Sequence, residues 1–180
     1  MTLFTVLDLG LGDIDVDTVT TALTKTFGDR AEEVQAAYAA LYPDATPSDL
    51  LVTIATDRVF RVPAIRLAEA GTQTRPTFMY LFTWPSPILH GKLKSCHALE
   101  LAFMWDALDR PGLSALTGNG PERASLAHAM HTAWIQFART GDPGWPAYDV
   151  ARRATQRFDT PMAMIDDPMP EQRALWADVH

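Results

Sequence analysis

Thr77-Phe78-Met79-Tyr80-Leu81-Phe82 is an unbroken apolar and aromatic run. After a loop it is followed by Lys94-Ser95-Cys96-His97-Ala98-Leu99-Glu100-Leu101-Ala102-Phe103. The first run predicts a β-strand over 77–82. A strand that is apolar on both sides belongs inside a sheet, with helices covering each face. Residues 83–96 read as a loop, with Pro85, Pro87 and Gly91, and 98–105 as a short helix or turn. His97 is therefore carried by a loop that leaves a buried strand. Standing alone, a histidine near a strand end is more often structural than catalytic; its setting is what marks it. In the chain order Ser…Asp/Glu…His the base comes last and reaches over the end of the sheet. A neutral imidazole near its ordinary pKa suits proton transfer to and from a serine hydroxyl, so His97 is a candidate general base.

Upstream, the chain reads as small helices. The apolar run Leu3-Phe4-Thr5-Val6-Leu7 has no cap or tail ahead of it, so the start reads as interrupted. Asp15 caps a helix with Val16, Val19, Leu23 and Phe27 on one face, stopped by Gly28. Asp29 with Glu32 suggests a capping box for a second helix, striped by Val34, Ala37, Tyr38 and Leu41 and closed by Pro43. Thr46-Pro47-Ser48-Asp49 is a further start signal, with Leu50, Leu51, Ile54, Ala55 and Val59 apolar after it. Pro63 is expected to break or kink that helix, and 64–70 to continue it briefly up to Gly71. Downstream, Pro121 opens the longest helix, ending near Thr140 before Gly141, with Leu126, Met130, Ala133, Trp134 and Phe137 on one stripe. Residues 155–158 read as a second strand, and Pro170 starts a last short helix with Leu175, Trp176 and Val179 apolar. The expected class is α/β, mostly helical with two or three strands of a larger sheet, as one domain over 1–180 without an internal boundary. A doubly wound sheet needs several βαβ units of roughly 30 residues each. So the strand at 77–82 is expected to want partners.

Composition fits a globular chain with a real core: 180 residues, 47% hydrophobic and 21% charged. The net charge of −7, with scattered basic residues, argues against nucleic acid or an anionic membrane as main partner. One cysteine excludes an internal disulfide framework and a cysteine-based zinc site. No apolar run approaches a spanning helix, and no signal peptide is visible. The expected setting is soluble, reduced, cytoplasmic and bacterial, unless an export signal stood ahead of these residues.

The remaining candidates are weaker. None of Ser48, Ser86, Ser95, Ser114 or Ser125 lies in the Gly-x-Ser-x-Gly turn that lifts a nucleophile above a sheet. Gly112-Leu113-Ser114-Ala115-Leu116 is half a match and follows the histidine. Cys96 adjoins His97, but neighbouring side chains in an extended loop point apart, so it reads as filling apolar space. His128 and His131 are three apart on one helix, yet both are expected to face solvent, with no third ligand to make a metal site. Gly10-Leu11-Gly12 lacks a dinucleotide turn's setting, and Asp8, Asp13, Asp15 and Asp17 lack a calcium loop's glycine and closing glutamate.

Taken together, several blocks resemble the C-terminal part of type-B carboxylesterases, α/β-hydrolases that include the cholinesterases. They are Thr56-Asp57-Arg58-Val59-Phe60 with Pro63-Ala64, Tyr80-Leu81-Phe82, and His97-Ala98-Leu99-Glu100-Leu101-Ala102-Phe103. The last is Trp134-Ile135-Gln136-Phe137-Ala138-Arg139-Thr140-Gly141-Asp142-Pro143 running into Trp145-Pro146-Ala147-Tyr148. By that resemblance His97 is the triad histidine, the substrate is a small carboxylic ester, and no cofactor is implied. The serine, the oxyanion loop and the acid would lie upstream, so the chain is expected to be a C-terminal fragment, inactive alone. Glu100 reads as support beneath the loop, not a substitute acid. Trp84, Phe103, Met104 and Trp105 either wall the substrate pocket or pack in the core. A second expectation, of another class, is a non-catalytic helical module that self-associates or docks on a partner chain, such as an N-terminal esterase piece.

Overall fold

The computed structural model describes residues 14–179, so the apolar run at 3–7, Gly10, Gly12, Asp8 and Asp13 lie outside the described residues. The described chain forms two compact units, one of residues 14–66 with 169–179 and the other of residues 67–168.

The first unit is helical. Helix α1 (Val16–Phe27) begins at Asp15, whose carboxylate accepts the Thr18 amide at 2.8 Å. Val19, Leu23 and Phe27 are buried, whereas Val16 faces out. The expected Asp29–Glu32 capping box does not form. Gly28–Arg30 is instead a turn of 3-10 helix feeding directly into α2 (Ala31–Leu41), which has no side-chain cap. A continuous helical approach leaves no free N-terminus to cap. Helix α3 (Pro47–Thr56) does carry a capping box, with Thr46 and Asp49 exchanging bonds and Pro47 in the first turn.

Pro63 does not break the helix that follows. α3 runs through a π turn (Asp57–Arg61) into α4 (Val62–Gly71), and the Val62 amide donates to the Asp57 carbonyl. A proline ring clashes with the carbonyl four residues back and offers no N–H to it. The extra residue of a π turn absorbs that mismatch one turn ahead of Pro63. It also shifts the helix register, so Val59 is exposed instead of joining the apolar face, and Asp57 and Val62 are buried. The unit's core gathers Val19, Leu23, Phe27, Val34, Tyr38, Ile54 and Val62 around Trp176, which follows α8 (Pro170–Leu175).

The second unit holds a mixed sheet of three strands in the order β1-β2-β3: β1 (Met79–Phe82), β2 (Ala154–Phe158) and β3 (Ala163–Asp166). β1 and β2 are parallel, Met79 opposite Thr155 and Phe82 opposite Phe158; β2 and β3 are antiparallel. The β1–β2 crossover carries α5 (Leu99–Met104), α6 (Leu113–Thr117) and α7 (Glu122–Thr140), with α5 packed on α7. β3 and α6 have no counterpart in the sequence reading. Tyr80 is 37% exposed and the other three residues of β1 are half-buried, in line with a strand that wants partners. Among the described residues β1 has a neighbour on one edge only, so it does not lie in the interior of a sheet. On α7, Leu126, Met130 and Ala133 are buried as the stripe predicts. Phe137 is largely exposed and meets Phe78 edge to face at a 5.9 Å ring separation.

Candidate functional site

His97 sits on an exposed turn between two buried residues, Cys96 and Leu99, which anchor the turn while the imidazole faces out. Ala98 takes a left-handed backbone at φ 66° and opens α5. The loop beforehand is closed on itself by the Ser86 amide donating to the Lys94 carbonyl at 2.8 Å. It is tied to the sheet by the Ser95 hydroxyl, which donates to the Phe82 carbonyl at 3.0 Å. At the end of β1, the Thr83 amide donates to the Phe158 carbonyl at 3.0 Å, and its hydroxyl donates to an Asp159 carboxylate oxygen at 2.6 Å. The turn bearing His97 is thus fastened just beyond the carboxyl end of β1.

Glu100, one turn along, is half-buried. Burial pushes the Tyr80 phenol upward and the nearby Glu100 carboxylate adds to the effect; the Cys96 thiol is likewise raised, first by burial. Phe103 is fully buried, and its ring lies 5.1 Å from that of Phe82 and 5.6 Å from that of Trp84. Trp84 is half-buried and its indole N–H donates to the Thr117 carbonyl at 2.9 Å. Trp105 is 66% exposed.

The serines take up other work. Ser86 is fully buried and its hydroxyl oxygen accepts the Ile88 amide at 3.3 Å; Ser48, Ser114 and Ser125 lie in α3, α6 and α7. His128 is exposed, 3.7 Å from an Asp106 carboxylate oxygen. His131 is not solvated as expected: it is half-buried, and its Nδ1 is 2.9 Å from the Met104 carbonyl, joining α7 to the end of α5. The short α5 leaves its last carbonyls without helical partners, and a ring nitrogen one helix away meets one of them. Among the described residues no group of histidine, cysteine and carboxylate side chains is placed to hold a metal, and no helix is long and apolar enough to cross a membrane. A cleft of about 220 Å³ between the start of α7 and the β2–β3 turn is lined by Glu122, Ser125, Asp159 and Met162 and touches none of the candidate residues. Its Asp159 is occupied by Thr83 and by the Thr160 amide at 2.8 Å, so it reads as turn scaffolding.

Sequence reading singles out His97 but not the bonds that fasten its turn. Ser95, Thr83 and Asp159 carried a signal only in their type, since small hydroxyl and carboxylate side chains next to loops favour bonds to nearby backbone. The left-handed Ala98 carried none.

Comparison with known proteins matches the carboxylesterase family model to residues 13–175. The para-nitrobenzyl esterase of Bacillus subtilis is 36% identical over 141 residues, 74% of this chain and 28% of that protein. The phenmedipham hydrolase of Pseudarthrobacter oxydans is 32% identical over 166 residues, 88% of this chain and 32% of that protein. Among solved structures, a Geobacillus stearothermophilus carboxylesterase superposes with a TM-score of 0.82 at 35% identity, over 97% of this chain and 37% of that one. The chain therefore spans about a third of the length of the relatives it matches. With the family model matched over nearly its whole length, and the fold shared with solved α/β-hydrolases of that family, the chain belongs to the type-B carboxylesterases and covers part of the family's length.

Proposed function

We propose that this chain is the histidine-bearing part of a carboxylic-ester hydrolase that works by serine acyl transfer. The observation that carries the reading is His97 on an exposed turn fastened beyond the carboxyl end of β1, in a chain of the carboxylesterase family. The imidazole takes the serine proton as the hydroxyl oxygen attacks the ester carbonyl. It then gives that proton to the departing alcohol, and water repeats the cycle on the acyl-enzyme. The serine, the oxyanion donors and the carboxylate that orients the imidazole come from outside these 180 residues, which contain no Gly-x-Ser-x-Gly. Glu100 supports the turn from below. Small carboxylic esters are the substrate class, which the relatives' names as esterase and hydrolase support.

The test is a chromogenic aryl ester assayed with 1–180 alone, and with an N-terminal esterase piece added in trans. Turnover only on mixing supports the reading, and His97→Ala then lowers kcat by on the order of 10⁴-fold or more. Turnover by the chain alone overturns the external nucleophile, and near-normal turnover in His97→Ala removes His97 from the mechanism. A second reading, a helical binding module, is favoured by the one-sided pairing of β1 among the described residues and by the exposed Leu101 and Trp105 on α5 and its end. It gains if both assays are silent while gel filtration shows a stable folded monomer.

A further inference from the structure

We propose that Ser95 is a positioning residue for the His97 imidazole, holding the base's turn against the last peptide of β1. The proposal rests on the reading of His97 as the base.

The geometry starts from one peptide group. The Phe82 carbonyl and the Thr83 amide belong to the same planar trans unit, so they point in opposite directions. The Thr83 amide donates toward β2, to the Phe158 carbonyl at 3.0 Å. The Phe82 carbonyl therefore faces the other edge of β1, where no strand pairs among the described residues. A strand-end carbonyl in that position needs a donor. The Ser95 hydroxyl supplies it at 3.0 Å, from a half-buried side chain only two residues before His97. The bond thus does two things: it satisfies the edge carbonyl, and it fixes where the loop returns to the sheet.

That second effect bears on the base. The loop leaving β1 contains left-handed positions at Leu89, His90, Lys94 and Gly91, so it follows no regular ladder that would set its exit. The Ser86–Lys94 bond closes the loop on itself, whereas Ser95 refers it to the strand. Directly afterwards Cys96 is buried, His97 projects and Ala98 turns left-handed into α5. With the tie cut, the Leu99 amide still donates to the Cys96 carbonyl at 3.2 Å and both residues stay packed, but the turn they close loses its reference to the strand and shifts against it. A base must hold its place to within a fraction of an ångström, and misplacement by about 1 Å can cost on the order of 100-fold in rate.

The experiment uses 1–180 with 13C- and 15N-labelled histidine. Ring relaxation of His97 is compared with that of His131, whose ring nitrogen bond to Met104 makes it an internal reference. Ser95→Thr and Ser95→Val are nearly the same shape and differ in the hydroxyl, and Ser95→Ala is the third variant. The expected result is an ordered His97 ring in the parent and in Ser95→Thr, increased ring mobility in Ser95→Val and Ser95→Ala, and His131 unchanged throughout. Equal His97 order in the Thr and Val variants overturns the proposal. In the esterase assembled by complementation, Ser95→Val lowers kcat by on the order of 10- to 100-fold with KM little changed, and Ser95→Thr recovers it. If His97→Ala abolishes turnover while Ser95→Val leaves it intact, the positioning role falls and the base stands. If His97→Ala leaves turnover intact, the catalytic reading falls, and with it the role assigned to Ser95.

Discussion

Cys96 and His97 are adjacent in sequence and opposite in environment. The thiol is buried at 3% exposure, while the imidazole beside it faces out. Burial disfavours the thiolate and pushes the Cys96 thiol above its ordinary value of 9.0. Because the folded state holds this proton more tightly than the unfolded chain, the associated stability is complete below that ordinary value and is lost as pH rises through it. At neutral pH Cys96 is therefore a protonated, shielded thiol. A disulfide reagent such as DTNB is expected to leave the native chain unlabelled and to titrate one thiol in denaturant. Prompt labelling of the native chain at neutral pH would contradict the buried position. Ala98 shows a different constraint. A non-glycine residue in the left-handed region costs about 1–2 kcal/mol, and a methyl side chain keeps that cost near its minimum while letting the chain double back from His97 into α5.

Among the elements, the helical run from Pro47 to Gly71 depends on a buried polar cluster at its middle. Tyr38 donates to one Asp57 oxygen at 2.6 Å, Arg61 donates to the other at 2.6 Å, and the Trp176 indole donates to the Tyr38 oxygen at 2.7 Å. The cluster joins α2, the π turn and the residue after α8, so one carboxylate organises three segments. Removing one partner of a buried pair is more harmful than never having had it, because the other charge stays behind. Asp57→Ala is expected to destabilise the chain by about 3–5 kcal/mol, read as a shift of the urea midpoint at unchanged slope. An effect within about 0.5 kcal/mol would mean that water reaches Arg61 freely. The Tyr38 phenol is raised far above its ordinary value of 10.0, by burial first and by the Asp57 charge second. A raised folded-state value means that its contribution is complete below that ordinary value and declines as pH rises through it. The urea midpoint of the parent is therefore expected to fall between about pH 9 and 11, and less steeply in Tyr38→Phe, where no phenol titrates.

For the whole molecule, the helices were largely legible in the sequence because amphipathic spacing and caps are local signals. Val19, Leu23 and Phe27 fell where the period placed them, and Thr46-Pro47-Ser48-Asp49 opened its helix as written. The errors came from non-local facts. Asp29 has the composition of a cap, but a 3-10 turn already joins the two helices and leaves nothing to cap. Val59 fits an apolar stripe until the π turn moves the register by one residue. β3 was missed because Ala163, Met164, Ile165 and Asp166 make too short a run to stand apart from a turn, and its pairing with β2 is what defines it. The apolarity of 77–82 is a signal of a different kind: it marks a strand that wants partners, and the exposed Tyr80 agrees that this apolarity is not consumed within the described residues. His97 could be singled out by its place in the chain; the bonds that hold it could not, because Phe82 and Ser95 are joined across a loop with irregular backbone.

The π turn has a consequence for how this stretch can change in length. A π turn is a helix carrying one residue more than regular α bonding uses, so the deletion of one residue from Arg58 to Phe60 would return the stretch to α spacing and bring back the Pro63 mismatch that the extra residue absorbs. Such a deletion is costly both within the helix and in its packing. It turns the residues directly after the deletion by about 100° about the helix axis, which carries Val62 off the buried side. The surplus residue works as a register key, and descendants of this chain can substitute within it more readily than they can lose it.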